Sequence, residues 1–356
     1  MSELASKFNV TVGSRSAGRA QRGRAKSDFV AVTGAEGFIG SHLVERLVRH
    51  GQRVRAMVLY NSFDSRGWLD TLPADVLAEV EVLPGDVRDP ASADDLVRGA
   101  RVVYHLAALI AIPYSYRASR SYIDTNVIGT HNVLEAVRAY ETPRLVHTST
   151  SETYGTARTV AIDETHPLQA QSPYAATKLA ADKLVESYNL SFGVLAVTLC
   201  PFNTFGPRQS ARAVIPTVIT QIAAGARTIT LGALTPTRDF LFVEDTAAAF
   251  HTLGDAPASA VVGERFNAGT GDEVSVGRLA EDIARLMGAD IEIVEDVERL
   301  RPKDSEVMRL CCDATRLRDR TGWAPGHTRD AGLQKTIAWF RDPANLARYR
   351  PGDYTR

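Results

Sequence analysis

From Asp28 onward the chain alternates short β-branched runs with longer amphipathic stretches. "DFVAVTG" ends in a glycine-rich turn, and "FIGSHLVERLVRHG" then sets Ile39, Leu43 and Leu47, with Val44 and Val48, at helical spacing until Gly51 stops the run. The rhythm repeats. "RVRAMVLY" and "VEVLPGD" read as strands, "ASADDLVRGA" as a short helix, "RVVYHLAAL" as a strand, residues 120–140 as a helix and "RLVHTSTS" as a strand. A helix from Pro173 to Ser191 and the strand "VLAVTLC" complete the series. Strands and helices alternating at these lengths predict an α/β fold, a Rossmann-type doubly wound parallel sheet with helices on both faces. At "PFNTFGPRQSARAVIP" the regularity breaks, and Pro, Gly and Arg are frequent from there to the C-terminus. The expected organisation is a first domain over residues 28–200 and a smaller C-terminal α/β lobe over 201–356 that faces the substrate, with segments around 238–270 packing back on the first domain.

Charge and composition narrow the function classes. With 41 basic against 42 acidic residues and a formal charge of -1, no global field favours nucleic acid or an acidic membrane surface. No stretch reaches the roughly 18 to 20 continuous apolar residues of a membrane span, and no secretory h-region stands at the N-terminus, so a soluble chain without a membrane partner is expected. Residues 1–27 are basic, rich in Ser, Gly, Ala and Arg, and read as a flexible tail. Cys200, Cys311 and Cys312 form no metal or disulfide spacing; their odd number points to a reducing compartment, the cytoplasm, and no metal site is expected.

Three motifs carry chemistry. Gly34, Gly37 and Gly40 in "TGAEGFIG" stand between a strand and a helix, where glycines let backbone N–H groups at a helix N-terminus approach a pyrophosphate. At the end of the second strand, where an acidic residue would grip the adenosine ribose, stand Tyr60 and Asn61, and no arginine offers itself there for a 2′-phosphate. Asp86 reads equally as an adenine contact and as a solvated turn or capping residue. Tyr174 and Lys178 share a helix face, where the cation, together with a positive nicotinamide, would lower the phenol's pKa; alone they would be an ordinary surface pair. In "HTSTSETYG" continued strand alternation would place Thr148, Thr150 and Glu152 on one side and Ser149 and Ser151 on the other, bringing a carboxylate to the ligand crevice; otherwise Glu152 is a helix cap or an ion-pair partner.

Together these motifs resemble the extended short-chain dehydrogenase/reductase family of nucleotide-sugar enzymes. "HLAA" at 105–108, "TNVIGTHNVLEA" at 125–136, "PFNTFGPR" at 201–208, "RDFLFVEDTA" at 238–247 and "RPKDSEV" at 301–307 are similar to its signatures in the same order. The resemblance implies NAD as cofactor, with NADP as the alternative. It implies contacts to that cofactor from Gly34, Gly37, Phe38, Ile39, Gly40, Asp86, Val87, Leu106, Ala107, Ala108, Asn126, Tyr174 and Lys178. Thr150-Ser151-Glu152 resembles the catalytic triplet of the 4,6-dehydratases, with Ser151 where dTDP-glucose enzymes carry an aspartic acid. In that family Tyr174, Lys178 and Thr150 would serve oxidation at C4 and Glu152 would remove the C5 proton as water leaves C6. Asn203, Arg238 and Arg301, and more distantly Arg212, would hold the nucleotide diphosphate.

"LYNSFDSRGWLDTLP", "HLAALIAIPYSY" and "LGALTPTRDF" are most similar to the 4,6-dehydratases that act on UDP- or GDP-N-acetylglucosamine in legionaminic acid synthesis. A homodimer through helices near 120–140 and 173–191 is implied by the same resemblance. Open alternatives at this point are a UDP-glucuronate decarboxylase, a nucleotide-sugar 4-epimerase and, from another class, a non-catalytic dinucleotide-sensing protein.

Overall fold

The computed structural model describes residues 29–159 and 161–349, so the tail expected over 1–27 lies outside the described residues. The strands in chain order are β1 (Phe29–Thr33), β2 (Arg53–Leu59), β3 (Val80–Gly85), β4 (Val103–His105), β5 (Leu145–Thr148), β6 (Ala196–Pro201), β7 (Asn203–Phe205), β8 (Thr228–Leu231), β9 (Thr237–Phe242), β10 (Arg265–Ala268), β11 (Glu273–Ser275), β12 (Glu292–Glu295) and β13 (Arg309–Leu310). Seven of them form one parallel sheet in the order β10-β6-β5-β4-β1-β2-β3. This is the doubly wound arrangement, with its topological switch between β1 and β4.

The two faces follow from strand alternation. Val30 and Val32 of β1, Tyr104 of β4 and Val146 of β5 enter one core with Leu43 and Leu47 of the helix Phe38–Arg49. Ala31, Val103 and Leu145 enter the other, against the helices Pro90–Val97, Gly129–Ala139 and Pro173–Phe192. Two elements from beyond residue 200 join this arrangement: β10 extends the sheet beside β6, and the helix Val243–Asp255 packs along Phe38–Arg49.

The rest of the C-terminal region is more regular than its Pro, Gly and Arg content predicts. The helices Val214–Ala223, Val276–Met287 and Arg329–Arg341 surround a small sheet of β11, β9 and β13, with β7 on β9 and a separate β8–β12 pair. Local signals build them: Ser275 caps Val276–Met287 through the Arg278 N–H, and Gly288 ends it in the left-handed conformation at φ 68°.

Two further expectations change. The helix near 120–140 is a helical turn at Ser119–Tyr122, a π-helical segment at Ile123–Ile128 and an α-helix at Gly129–Ala139. The strand through "RLVHTSTS" stops at Thr148, and Ser151–Thr153 forms a 3-10 turn capped by Thr150. Among the described residues no helix is long and apolar enough to cross a membrane.

Candidate active site

The helix Pro173–Phe192 presents the reactive face. Ser172 accepts the Ala175 N–H at 3.1 Å, Pro173 occupies the first turn, and Gly193 stops the helix at φ 69°. Between these limits Tyr174, Lys178 and Asp182 follow one another at four-residue spacing on the buried stripe. Thr150 hydrogen-bonds the Tyr174 phenol, and the ring of Tyr122 meets that of Tyr174 edge-on at 6.3 Å.

Burial pushes the Tyr174 phenol well above its ordinary value; the Thr150 bond opposes this and the Glu152 charge adds to it. The lowering expected from sequence counted a positive nicotinamide along with Lys178, whereas burial and the neighbouring carboxylate act the other way. Burial draws the Lys178 ammonium down to about 8, against the pull of Asp182.

Asp182 anchors a buried polar unit behind this face. Its carboxylate accepts from His147 Nε2 at 3.0 Å, Ser149 Oγ at 2.6 Å and Arg265 Nη2 at 2.9 Å. Burial by itself would raise this carboxyl, but Arg265 and the His147 bond outweigh it and hold it below the usual range. Neither Asp182 nor Arg265 stands out in the sequence; the one signal is that Asp182 repeats the spacing from Tyr174 to Lys178.

The 3-10 turn, rather than strand alternation, sets the triplet. Ser151 is buried in it, and Glu152 is half-buried with its backbone N–H on Thr150 Oγ1 at 3.3 Å. The Glu152 charge acts on both Tyr174 and Arg238, so the carboxylate lies within electrostatic reach of each.

Arg238, on β9, is buried and donates to the Thr237 carbonyl at 2.9 Å and to Glu306 Oε1 at 3.1 Å. Arg301 reaches the same Glu306 oxygen at 3.5 Å. Burial lowers the Arg238 pKa, with Glu152 and Glu306 opposing it and Arg301 adding to it. Glu306, inside the "RPKDSEV" stretch, thus gathers two of the expected diphosphate ligands, Arg238 and Arg301, a role not read from the sequence. Asn203 begins β7 beside Phe240 of β9, while Arg212 is exposed and acts on Tyr122. The segment Lys303–Ser305 is tied to distant parts of the chain: Ser305 Oγ donates to the Gln171 carbonyl at 2.6 Å and hydrogen-bonds Tyr116 at 2.6 Å.

The glycine-rich turn lies at the switch point. Gly34 has φ +64°, and a Cβ there would meet the Ala107 nitrogen at 2.8 Å. A Cβ on Gly40 would lie 2.1 Å from the Gly34 carbonyl oxygen. The helix that carries Phe38 and Ile39 in its first turn has no side-chain cap and no acidic residue there, so its positive end is kept for an anion. Thr33 Oγ1 accepts the Leu106 and Ala107 N–H groups, both at 3.0 Å, and joins the ends of β1 and β4 into one floor on which Ala108 follows. These features suit a pyrophosphate laid across the turn.

Three expected cofactor residues are engaged within the chain. Asp86 is ion-paired with Arg88, whose hydrogen bond holds the carboxyl below its ordinary range, at an open cavity of about 430 Å³ shared with Asp89, Arg120, Asp124 and Ile128. Val87 is buried against Gly129, and its carbonyl accepts from Asn132 Nδ2 at 2.9 Å. Asn126 is the most fully engaged of the three. Its amide accepts the Leu109 N–H at 2.9 Å and donates to the Leu109 carbonyl at 3.0 Å and to Thr177 Oγ1 at 3.1 Å, bracing the floor against the reactive helix. A buried amide satisfied this fully by its own chain is a structural tie.

Comparison with known proteins agrees with this geometry. The family model described as GDP-mannose 4,6 dehydratase matches residues 31–336. A dTDP-glucose 4,6-dehydratase from Mycolicibacterium smegmatis is 33% identical over 325 residues, covering 90% of this chain and 95% of the relative. A UDP-glucose 4-epimerase from the same organism is 33% identical over 316 residues, covering 87% and 98%. Among solved structures, DesIV, a dTDP-glucose 4,6-dehydratase from Streptomyces venezuelae with NAD bound, superposes with a TM-score of 0.80 at 26% identity, covering 90% of this chain and 99% of that one. Pal from Bacillus thuringiensis gives 0.78 at 30% identity, covering 88% and 98%.

Proposed function

Because the chain belongs to the GDP-mannose 4,6-dehydratase family of extended short-chain dehydrogenase/reductase nucleotide-sugar enzymes, we propose that it is an NAD-dependent 4,6-dehydratase whose substrate is UDP-N-acetylglucosamine. The observation that carries the dehydratase reading over epimerisation is Glu152, a second acid–base group whose charge acts on both Tyr174 and Arg238. Moving a hydride off C4 and back asks only for the tyrosine; eliminating water across C5–C6 asks for a base as well. The choice of UDP-N-acetylglucosamine rests on the sequence stretches around Leu59–Pro73 and Leu231–Phe240 and on Ser151 in the place of an aspartic acid.

In this reading the Gly34–Gly40 turn, Phe38, Ile39 and the Leu106–Ala108 floor hold NAD, which when bound takes up hydride from C4 and gives it back at C6. Tyr174 accepts the C4 hydroxyl proton, with Thr150 holding the phenol and the Lys178 ammonium favouring the phenolate. Glu152 removes the proton from C5, made acidic by the C4 carbonyl, and passes it to the C6 oxygen, which departs as water; a solvent proton is returned to C5 when C6 is reduced. Arg238 and Arg301 exchange Glu306 for the nucleotide diphosphate, and Asn203 contributes an amide there. Residues 28–200 serve mainly the dinucleotide and 201–356 mainly the sugar nucleotide. A cytoplasmic homodimer formed through Ser119–Ala139 and Pro173–Phe192 completes the proposal.

A panel of nucleotide sugars followed by mass spectrometry tests it. The expected result is loss of one water from UDP-N-acetylglucosamine. Unchanged mass with inverted C4, or loss of carbon dioxide from UDP-glucuronate, overturns the dehydratase assignment; loss of water from dTDP-glucose alone overturns only the substrate.

A further inference from the structure

We infer that Glu36, inside the glycine-rich turn, is the carboxylate that reads the adenosine ribose in this chain and excludes a 2′-phosphate. The inference rests on the dinucleotide reading of that turn. β2 ends at Leu59 and is followed by Tyr60 and Asn61, so the strand itself supplies no acid at the position where a ribose would be gripped. The structure brings one there from another element. Glu36 Oε1 accepts the N–H of Leu59, the last residue of β2, at 3.0 Å. The carboxylate therefore stands at the C-terminal edge of β2, beside the turn that suits a pyrophosphate.

Its second oxygen, Oε2, is buried and has no hydrogen-bond partner among the described residues. A buried carboxylate oxygen left open is costly unless something donates to it. The side chain is also fixed in place. The Trp68 N–H donates to the Glu36 carbonyl at 3.0 Å, and Gly67, at φ +57°, comes so close that a Cβ on it would lie 2.9 Å from Glu36 Cβ. Only glycine allows the loop after β2 to close over Glu36 in this way.

An unpartnered, pre-positioned carboxylate oxygen is matched by hydroxyl donors, which the 2′ and 3′ positions of a ribose provide. A phosphate monoester there would set negative charge against negative charge in a partly desolvated site. The arginines in the loops after β2 and β3 are already engaged, Arg66 with Asp70 and Arg88 with Asp86. Burial raises the Glu36 carboxyl and the Leu59 bond opposes the rise, in keeping with a group whose stabilising partner is a donor from outside the chain.

Isothermal titration of the full-length protein with NAD and with NADP, for the parent, Glu36→Gln and Glu36→Ser, tests the assignment, with far-UV circular dichroism confirming the fold. Gln keeps an acceptor for the Leu59 N–H but loses the charge; Ser removes the side chain's reach. The parent should prefer NAD, and both variants should narrow that preference by roughly ten- to a hundredfold, through weaker NAD and stronger NADP binding. A folded variant with an unchanged NAD-to-NADP ratio overturns the role of Glu36 while leaving the dehydratase reading intact. A parent that prefers NADP overturns it likewise, and a parent that binds neither dinucleotide overturns both.

Discussion

Lys178→Met should stabilise the protein while abolishing its activity. The ammonium is held on a buried stripe, and burial draws its pKa from an ordinary 10.5 to about 8. A depression of that size corresponds to a folding penalty on the order of 3 kcal/mol near neutral pH. Methionine replaces the stem with a flexible chain of similar length and no charge, and Asp182 keeps its bonds to His147, Ser149 and Arg265. The variant should therefore gain up to about 3 kcal/mol near pH 7, and lose turnover by a factor on the order of 10² or more.

The pH dependence is specific. Below about 8 the lysine is charged in both folded and unfolded chains, and the full penalty stands. Between about 8 and 10.5 the folded chain releases its proton first, the unfolded chain binds more protons, and the parent gains stability as pH rises. Above that window both states are neutral and the two proteins converge. Urea unfolding of parent and variant near pH 7, 8.5 and 10 measures the gap. A variant less stable than the parent near neutrality, or a gap that stays constant across the window, would refute the argument.

Glu152→Gln should leave C4 oxidation competent but stop exchange of the C5 hydrogen with solvent deuterium, giving a 4-keto sugar that retains its C6 hydroxyl; normal deuterium uptake would remove Glu152 from its role. Asp182→Asn strips the buried Arg265 of its counter-ion and should cost about 3 to 5 kcal/mol in urea unfolding; a loss under about 1 kcal/mol would show that the pair is dispensable. Glu306→Gln leaves Arg238 and Arg301 without their shared carboxylate, so the free protein should melt several degrees lower and recover more on adding UDP than the parent does. Equal ligand-induced shifts in the two proteins would separate Glu306 from diphosphate binding.

The strand–helix alternation, the turn of Gly34 to Gly40 and the pairing of Tyr174 with Lys178 are legible in the sequence because each is a local pattern with a fixed period. The placement of Glu152 is anticipated for the wrong reason: strand alternation does not extend past Thr148, where a 3-10 turn takes over. The bonds of the Asn126 amide to Leu109 and Thr177 are not legible, because a family motif records that a residue matters without recording which groups of its own chain the amide meets. Glu36, Glu306 and the Asp182–Arg265 pair escape notice for a physical reason. Each acts through a partner 23, 68 or 83 residues away, and no periodicity relates such positions before the sheet order is known. The regular helices beyond residue 200 are legible, since Ser275 and Gly288 bracket one of them, but frequent Pro and Gly in the connecting loops mask the signal.

β10 lies beside β6 in the parallel sheet, yet 63 residues separate the end of one strand from the start of the other, and Arg265 on that late strand neutralises Asp182. As the chain leaves the ribosome, then, the six earlier strands of this sheet are made while one edge still has an unpaired backbone and the buried carboxylate has no guanidinium. The nascent protein should be vulnerable to edge-to-edge association during that interval. A chain ending near residue 200 would keep that exposed edge permanently, so the natural unit of folding extends to at least Ala268, well past the break in the strand–helix rhythm at residue 201.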